Sequence, residues 1–145
     1  MGRQASILLV DDDLNVRQAL GEALAVENYQ VALAASGDEA VRRLREKGGT
    51  EFDAVLLDLR LGPGNGWQVF DHLTTLHPCL PVIIITAARE QEALIGARQC
   101  VAVMEKPLDL PRLFDTLRSV TARREPYSQQ RIGSSSLEAQ DRSAA

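Results

Sequence analysis

The sequence is poor in several features that would have pointed to other kinds of protein. Its 145 residues include only 2 cysteines and 2 histidines, and Cys79, Cys100, His72 and His77 follow no metal-ligand spacing. A zinc site is therefore not expected, and both cysteines read as buried free thiols rather than a disulfide. His72 falls within a helical pattern and His77 precedes Pro78, so neither is assigned any chemistry. No apolar run is long enough to span a bilayer, and the N-terminus lacks the apolar core of a signal peptide. The chain is read as cytoplasmic, with no membrane insertion. Lys and Arg number 16 against 20 Asp and Glu, a formal net charge of −4. A nucleic-acid footprint needs a basic patch, so direct nucleic-acid binding is not expected. The acids are dispersed except at Asp11, Asp12 and Asp13, and no internal repeat is evident.

What is present is an alternation of short apolar runs with helical patterns, the signature of βαβ units and a parallel sheet. Residues 6 to 10 read as a first strand, followed by a helix over Leu14 to Glu27 with Val16, Ala19, Leu20, Ala23 and Leu24 on one face. Tyr29 to Ala34 form a second strand. Ser36 then opens a helix with Glu39 three residues later, a capping box. Ala40, Val41 and Leu44 form its buried stripe, and Gly48-Gly49 stops it. Asp53 to Leu57 make a third strand, leading into a loop with Gly62, Pro63, Gly64 and Gly66 and a helix over Trp67 to Leu76. Pro81 starts the fourth strand, a short helix is expected over Ala88 to Arg98, and the fifth strand follows. Asp109 and Pro111 start a last helix carrying Leu110, Leu113, Phe114, Leu117 and Val120. Residues 1–123 therefore form one domain, and 124–145, rich in Ser and Gln, form a flexible polar tail.

Four of these runs end in residues suited to metal-bound phosphoryl chemistry. Ile7 to Val10 runs into Asp11, Asp12 and Asp13; Ala54 to Leu57 into Asp58; Val82 to Ile85 into Thr86; and Val101 to Met104 through Glu105 to Lys106 and Pro107. Ligands of open α/β sheets bind beyond the carboxyl ends of the strands, so these side chains converge on one crevice. Mg²⁺ takes one or two carboxylates and keeps several waters, a sparse set that Asp11, Asp12 and Asp58 can supply. A carboxylate can also attack phosphorus to form an acyl phosphate. Lys106 would contribute positive charge, and Thr86 a hydrogen bond to a phosphoryl oxygen. Asp13 is most simply the N-cap of the first helix. Trp67, the sole tryptophan, is expected to pack the third helix, close enough to the site to report on it.

At these residues the sequence resembles the response-regulator receiver domain of two-component signalling. The match spans roughly residues 5 to 122 and rests on ILLVDDD, DAVLLDLRLGPGNGW, PVIIITAA and VMEKP, in the family's order. The resemblance implies a flavodoxin-like (βα)5 fold, a doubly wound parallel α/β sheet with strand order 2-1-3-4-5. It implies Asp58 as phosphoacceptor and Asp11, Asp12, Asp58 and the backbone carbonyl of Arg60 as metal-site residues. The cofactor is Mg²⁺, with Mn²⁺ as a substitute. Thr86 and Lys106 match the phosphate-binding hydroxyl and lysine, Ala87, Val103 and Pro107 fall in the adjacent switch region, and the bond before Pro107 is expected to be cis. The implied donor is a histidine kinase or histidine phosphotransfer protein, and the output an altered affinity for a downstream protein. Such a domain is not an enzyme in the ordinary sense: it catalyses only its own phosphorylation and dephosphorylation.

The sequence departs from the family in three places. Val103 stands where receivers usually carry Tyr or Phe, and a valine has no swinging ring to couple site to surface. The interval from Thr86 to Lys106 is shorter than usual, with Gln99 near the place of a helix-ending Gly; dimerisation is left open. No output domain follows, so the chain reads as a stand-alone receiver or the receiver fragment of a larger regulator. Two alternatives follow. One is a docking or scaffold receiver whose output no longer depends on phosphorylation. The other is a small phosphatase of the haloacid-dehalogenase type, for which Asp11-x-Asp13 would be the first motif. That class needs an acidic cluster on a later strand, whereas Asp109 and Asp115 both lie in a helical pattern.

Overall fold

The runs Ile7 to Val10, Ala54 to Leu57 and Val82 to Ile85 lack alternation because the strands they form are buried on both faces, as parallel sheets covered by helices require. A computed structural model describes residues 4–46, 52–61, 64–87 and 102–122. In chain order the elements are β1 (Ser6–Val10), α1 (Leu14–Val26), β2 (Gln30–Ala34), α2 (Gly37–Glu46), β3 (Ala54–Asp58), β4 (Arg60–Leu61), β5 (Gly64–Asn65), α3 (Gly66–Leu76), β6 (Val82–Thr86) and β7 (Ala102–Glu105). A further helix, α4, covers 110–122. The main sheet runs β2-β1-β3-β6-β7 with every neighbouring pair parallel. With the small β4–β5 hairpin set aside, this is the anticipated order 2-1-3-4-5.

Alternate residues of the central strands feed two cores. Leu8, Val10, Val55, Leu57 and Ile84 pack with Ala40 and Leu44 of α2 and with Val69, Phe70 and Leu73 of α3. Ile7, Leu9, Leu56, Ile83 and Ile85 pack with Leu20 and Leu24 of α1 and with Leu113, Leu117 and Val120 of α4. Each such leucine or isoleucine contributes about 1.5–3 kcal/mol of burial. The α1 stripe is only partly covered. Leu20 and Leu24 are buried, whereas Ala19 is exposed and lines, with Val16, Ala23, Pro107, Leu108 and Leu110, an open groove of about 320 Å³.

Local chemistry sets the helix ends. Asp13 Oδ1 accepts from the amides of Asn15 (2.9 Å) and Val16 (3.3 Å), the cap anticipated for α1. At its other end Asn28 takes φ 71°, in the left-handed region, and the Tyr29 amide reaches back to the Leu24 carbonyl. Tyr29 therefore closes α1 and does not begin β2. At α2 the Ser36 hydroxyl accepts from the Glu39 amide at 3.2 Å, but the Glu39 carboxylate accepts from Ala35, one residue before the expected partner. Asp109 Oδ1 caps α4 through the Arg112 amide.

Two further sequence expectations are corrected. Cys79 is a free thiol but exposed rather than buried, because it sits in the turn between α3 and β6. The glycine-rich loop after Asp58 is partly ordered by antiparallel pairing of Arg60 with Asn65 and of Leu61 with Gly64. Gly66 ends that hairpin: its amide donates to the Leu59 carbonyl, and a Cβ there would lie 2.4 Å from the Leu59 Cα. The helix expected over 88–98, Cys100, Gln99, the Gly48-Gly49 stop and the tail 124–145 lie outside the described residues. Among the described residues no helix is long and apolar enough to cross a membrane.

Candidate functional site

Parallel pairing brings the C-terminal ends of β1, β3, β6 and β7 to one edge. Val10 pairs with Leu57, Asp58 with Ile85, and Thr86 with Glu105. Asp11, Asp58 and Thr86 are buried there, at 1%, 3% and 2% exposure, while Asp12 is exposed. Sheet register thus places acids, hydroxyl and lysine together, as their positions at strand ends required.

Asp58 is gripped from two sides. Lys106 Nζ donates to its Oδ2 at 2.8 Å, and the Arg60 amide donates to its Oδ1 at 2.9 Å. The amide bond uses the same residue whose carbonyl was anticipated at the metal. Lys106 Nζ also lies 3.4 Å from Asp11 Oδ2, so one ammonium bridges two carboxylates. The Lys106 amide donates to the Thr86 carbonyl, which fixes the lysine's root to the end of β6. Burial pushes the Asp11 carboxyl above its usual range; the Asp13 amide pulls it back, and the charge of Asp58 pushes it up again. Burial alone would lower the Lys106 ammonium, but the hydrogen bond and charge of Asp58, with Asp11 behind them, hold it above its ordinary value.

One carboxylate oxygen from each of Asp11, Asp12 and Asp58 lies within 4.8 Å of the others. An all-oxygen set with one exposed member suits a hard cation that keeps waters, so these residues fit Mg²⁺ or Mn²⁺. Asp13 stays outside the set because its side chain is spent on the α1 cap. Ala87 is exposed directly after β6, and Pro107 is exposed after a cis Lys106–Pro107 bond, the isomer anticipated. Val103 is half-buried, pairs with Ile84 across the sheet and packs on the core that α2 and α3 share. Trp67 packs edge-on against Phe70 with ring centroids 5.9 Å apart, the packing role expected of it.

Sequence reasoning missed Arg17. Its Nη1 donates to the Asp11 carbonyl at 2.8 Å, from one turn inside α1. The available signal was its spacing: a residue one turn into a helix can reach back over the helix's own start.

Comparison with known proteins agrees with this geometry. The family model described as "Response regulator receiver domain" matches residues 7–118. The transcriptional regulatory protein ZraR of Salmonella typhimurium is 37% identical over 118 residues, 80% of this chain and 26% of that protein. The chain thus spans about a quarter of the length of this curated relative. The non-phosphorylated HemR receiver domain of Leptospira biflexa superposes with TM-score 0.73 at 29% identity, covering 81% of this chain and 94% of that one. A response regulator receiver domain protein of Clostridium thermocellum shares the fold, with TM-score 0.78 at 22% identity, covering 85% and 98%. The family match and a sheet of this order, with the aspartate that closes β3 bonded to the lysine just after β7, agree: the chain belongs to the receiver domains of two-component response regulators.

Proposed function

We propose that this receiver accepts a phosphoryl group on Asp58 from a histidine kinase or histidine phosphotransfer protein in the cytoplasm, with Mg²⁺ bound, and signals through altered affinity for a partner protein. The observation that carries the reading is the buried Asp58 carboxylate, held by Lys106 and the Arg60 amide beside two further acids. An isolated structural aspartate gains nothing from such company, since like charges repel and Asp11 is already pushed toward its neutral form.

Asp11, Asp12, Asp58 and the Arg60 carbonyl would hold the metal. When bound, Mg²⁺ offsets the repulsion between the attacking carboxylate and the phosphoryl oxygens. The Asp58 oxygen attacks phosphorus, the new O–P bond forms as the donor's P–N bond breaks, and the departing imidazole takes up a proton. Lys106 begins as the counter-ion of Asp58 and carries its charge onto the incoming phosphoryl group. Thr86, at the end of β6, supplies a hydroxyl to another phosphoryl oxygen. Water attack on the acyl phosphate resets the domain.

The test is incubation with Mg²⁺ and a small phosphoryl donor, read by intact mass. Wild type should gain one phosphoryl group and Asp58→Asn none; labelling that survives the substitution sinks the assignment. A second reading, docking independent of phosphorylation, draws on Val103, a β-branched side chain packed into the core where the family carries a ring. Amide NMR shifts with BeF₃⁻ separate the two. Changes that stop at Asp58 and Thr86 favour docking, and changes that reach Val103 and beyond favour a switch.

A further inference from the structure

The three consecutive acids are fixed in three different ways. Asp13 is committed to the α1 cap. Asp11 is held through each of its polar atoms. Its amide donates to the Ala34 carbonyl at 3.1 Å, Oδ1 accepts from the Asp13 amide at 2.9 Å, Oδ2 meets Lys106 Nζ at 3.4 Å, and its carbonyl accepts from Arg17. Asp12 is exposed, and among the described residues its carboxylate has no hydrogen-bond partner, yet it lies within reach of the oxygens of Asp11 and Asp58.

What aims Asp12 is its backbone. The peptide before it contains the Asp11 carbonyl, gripped by Arg17; the peptide after it contains the Asp13 amide, gripped by the Asp11 carboxylate. Peptide units are planar, so holding the two units that flank a residue fixes its φ and ψ and the direction of its Cα–Cβ bond. Only side-chain rotation is then left to be ordered when a cation arrives, which lowers the entropic cost of binding. A guanidinium suits the task because its donors are rigidly directed, whereas an ammonium is a point charge on a flexible stem.

We propose that Arg17 is a positioning residue for the metal, acting through the Asp11–Asp12 peptide to present the Asp12 carboxylate. This rests on the reading of the site as an Mg²⁺-dependent phosphoacceptor. The experiment titrates wild type, Arg17→Met and Arg17→Lys with Mg²⁺, following Trp67 fluorescence and amide NMR shifts, with thermal melts recorded without the metal. Arg17→Met should weaken Mg²⁺ binding about 10-fold, the low end for loss of a group that orients a ligand. Arg17→Lys should fall between it and wild type, and serves alone if the Met variant does not fold. Phosphorylation of the variants by a small donor should return to the wild-type rate at saturating Mg²⁺. In an Asp12→Asn background, Arg17→Met should cost little further affinity, because its effect runs through that carboxylate. Unchanged Mg²⁺ affinity in both variants, even with a lowered melting temperature, overturns the proposal, as does an undiminished loss in the Asp12→Asn background. A wild type that shows no Mg²⁺ response overturns the underlying reading of the site, and this proposal with it.

Discussion

Strand β3 is bracketed by two buried aspartates, Asp53 just before it and Asp58 at its end, 2% and 3% exposed. Burial alone does not distinguish them; their neighbours do. Asp53 forms a reciprocal pair with Ser6. Its Oδ2 accepts from the Ser6 amide at 2.8 Å, and its amide donates to the Ser6 carbonyl at 2.7 Å. This fastens the start of β3 to the start of β1 and sets their register, a structural task. Asp58 instead shares a lysine with a second carboxylate and lies near a third. Negative charge gathered around one cation is costly to keep unless a ligand is to be received there. The same residue type at the two ends of one strand is therefore held in two different ways, at one end by the backbone of β1 and at the other among charges.

Substitutions at the two ends should separate these roles. The largest effect is expected for Asp58→Asn, which should abolish phosphoryl uptake while leaving the urea midpoint at or above that of wild type, because it removes a charge that repels Asp11. Lys106→Met should follow, slowing phosphorylation about 10²-fold at saturating Mg²⁺, the scale for losing one electrostatic donor; quench-flow or timed mass spectrometry reads it. Asp53→Ala should do the reverse. It should cost about 2 kcal/mol of unfolding free energy, for an acceptor removed from a partly buried amide, and leave the phosphorylation rate within twofold of wild type. The smallest effect is stabilisation by the metal. Mg²⁺ at ten times its dissociation constant should add about 1.4 kcal/mol to wild type and to Asp53→Ala alike, and much less to Asp58→Asn. Equal stabilisation of all three would mean that the metal binds elsewhere.

The sheet and the convergence of its strand-end side chains were legible because they rest on strong local signals. Ile7 to Val10 and Val82 to Ile85 are unbroken apolar runs that only a doubly covered strand explains, and each is followed at once by a chemically distinctive side chain. Asp13 and Asp109 read correctly as caps because a short carboxylate before a helical pattern has few other uses. The β4–β5 hairpin did not read, since two-residue strands leave no periodicity and its Gly and Pro look like any loop. Cys79 was misjudged because residue type predicts burial only on average, and a turn overrides it. Arg17 looked like an ordinary helix residue. Its purpose depends on a carbonyl at the start of its own helix, which emerges only once the chain has turned out of the sheet.

The ion pairs of Lys106 join residues far apart in the chain: its contact with Asp11 spans 95 positions and that with Asp58 spans 48. No short fragment of the sequence contains the site, and it is complete only once β7, one edge of the sheet, has paired with β6 and brought the lysine that follows it into place. A copy in which β7 has not paired leaves Asp58 without its counter-ion. Under the proposed function, phosphoryl uptake by Asp58 therefore reports that β1, β3, β6 and β7 have come together.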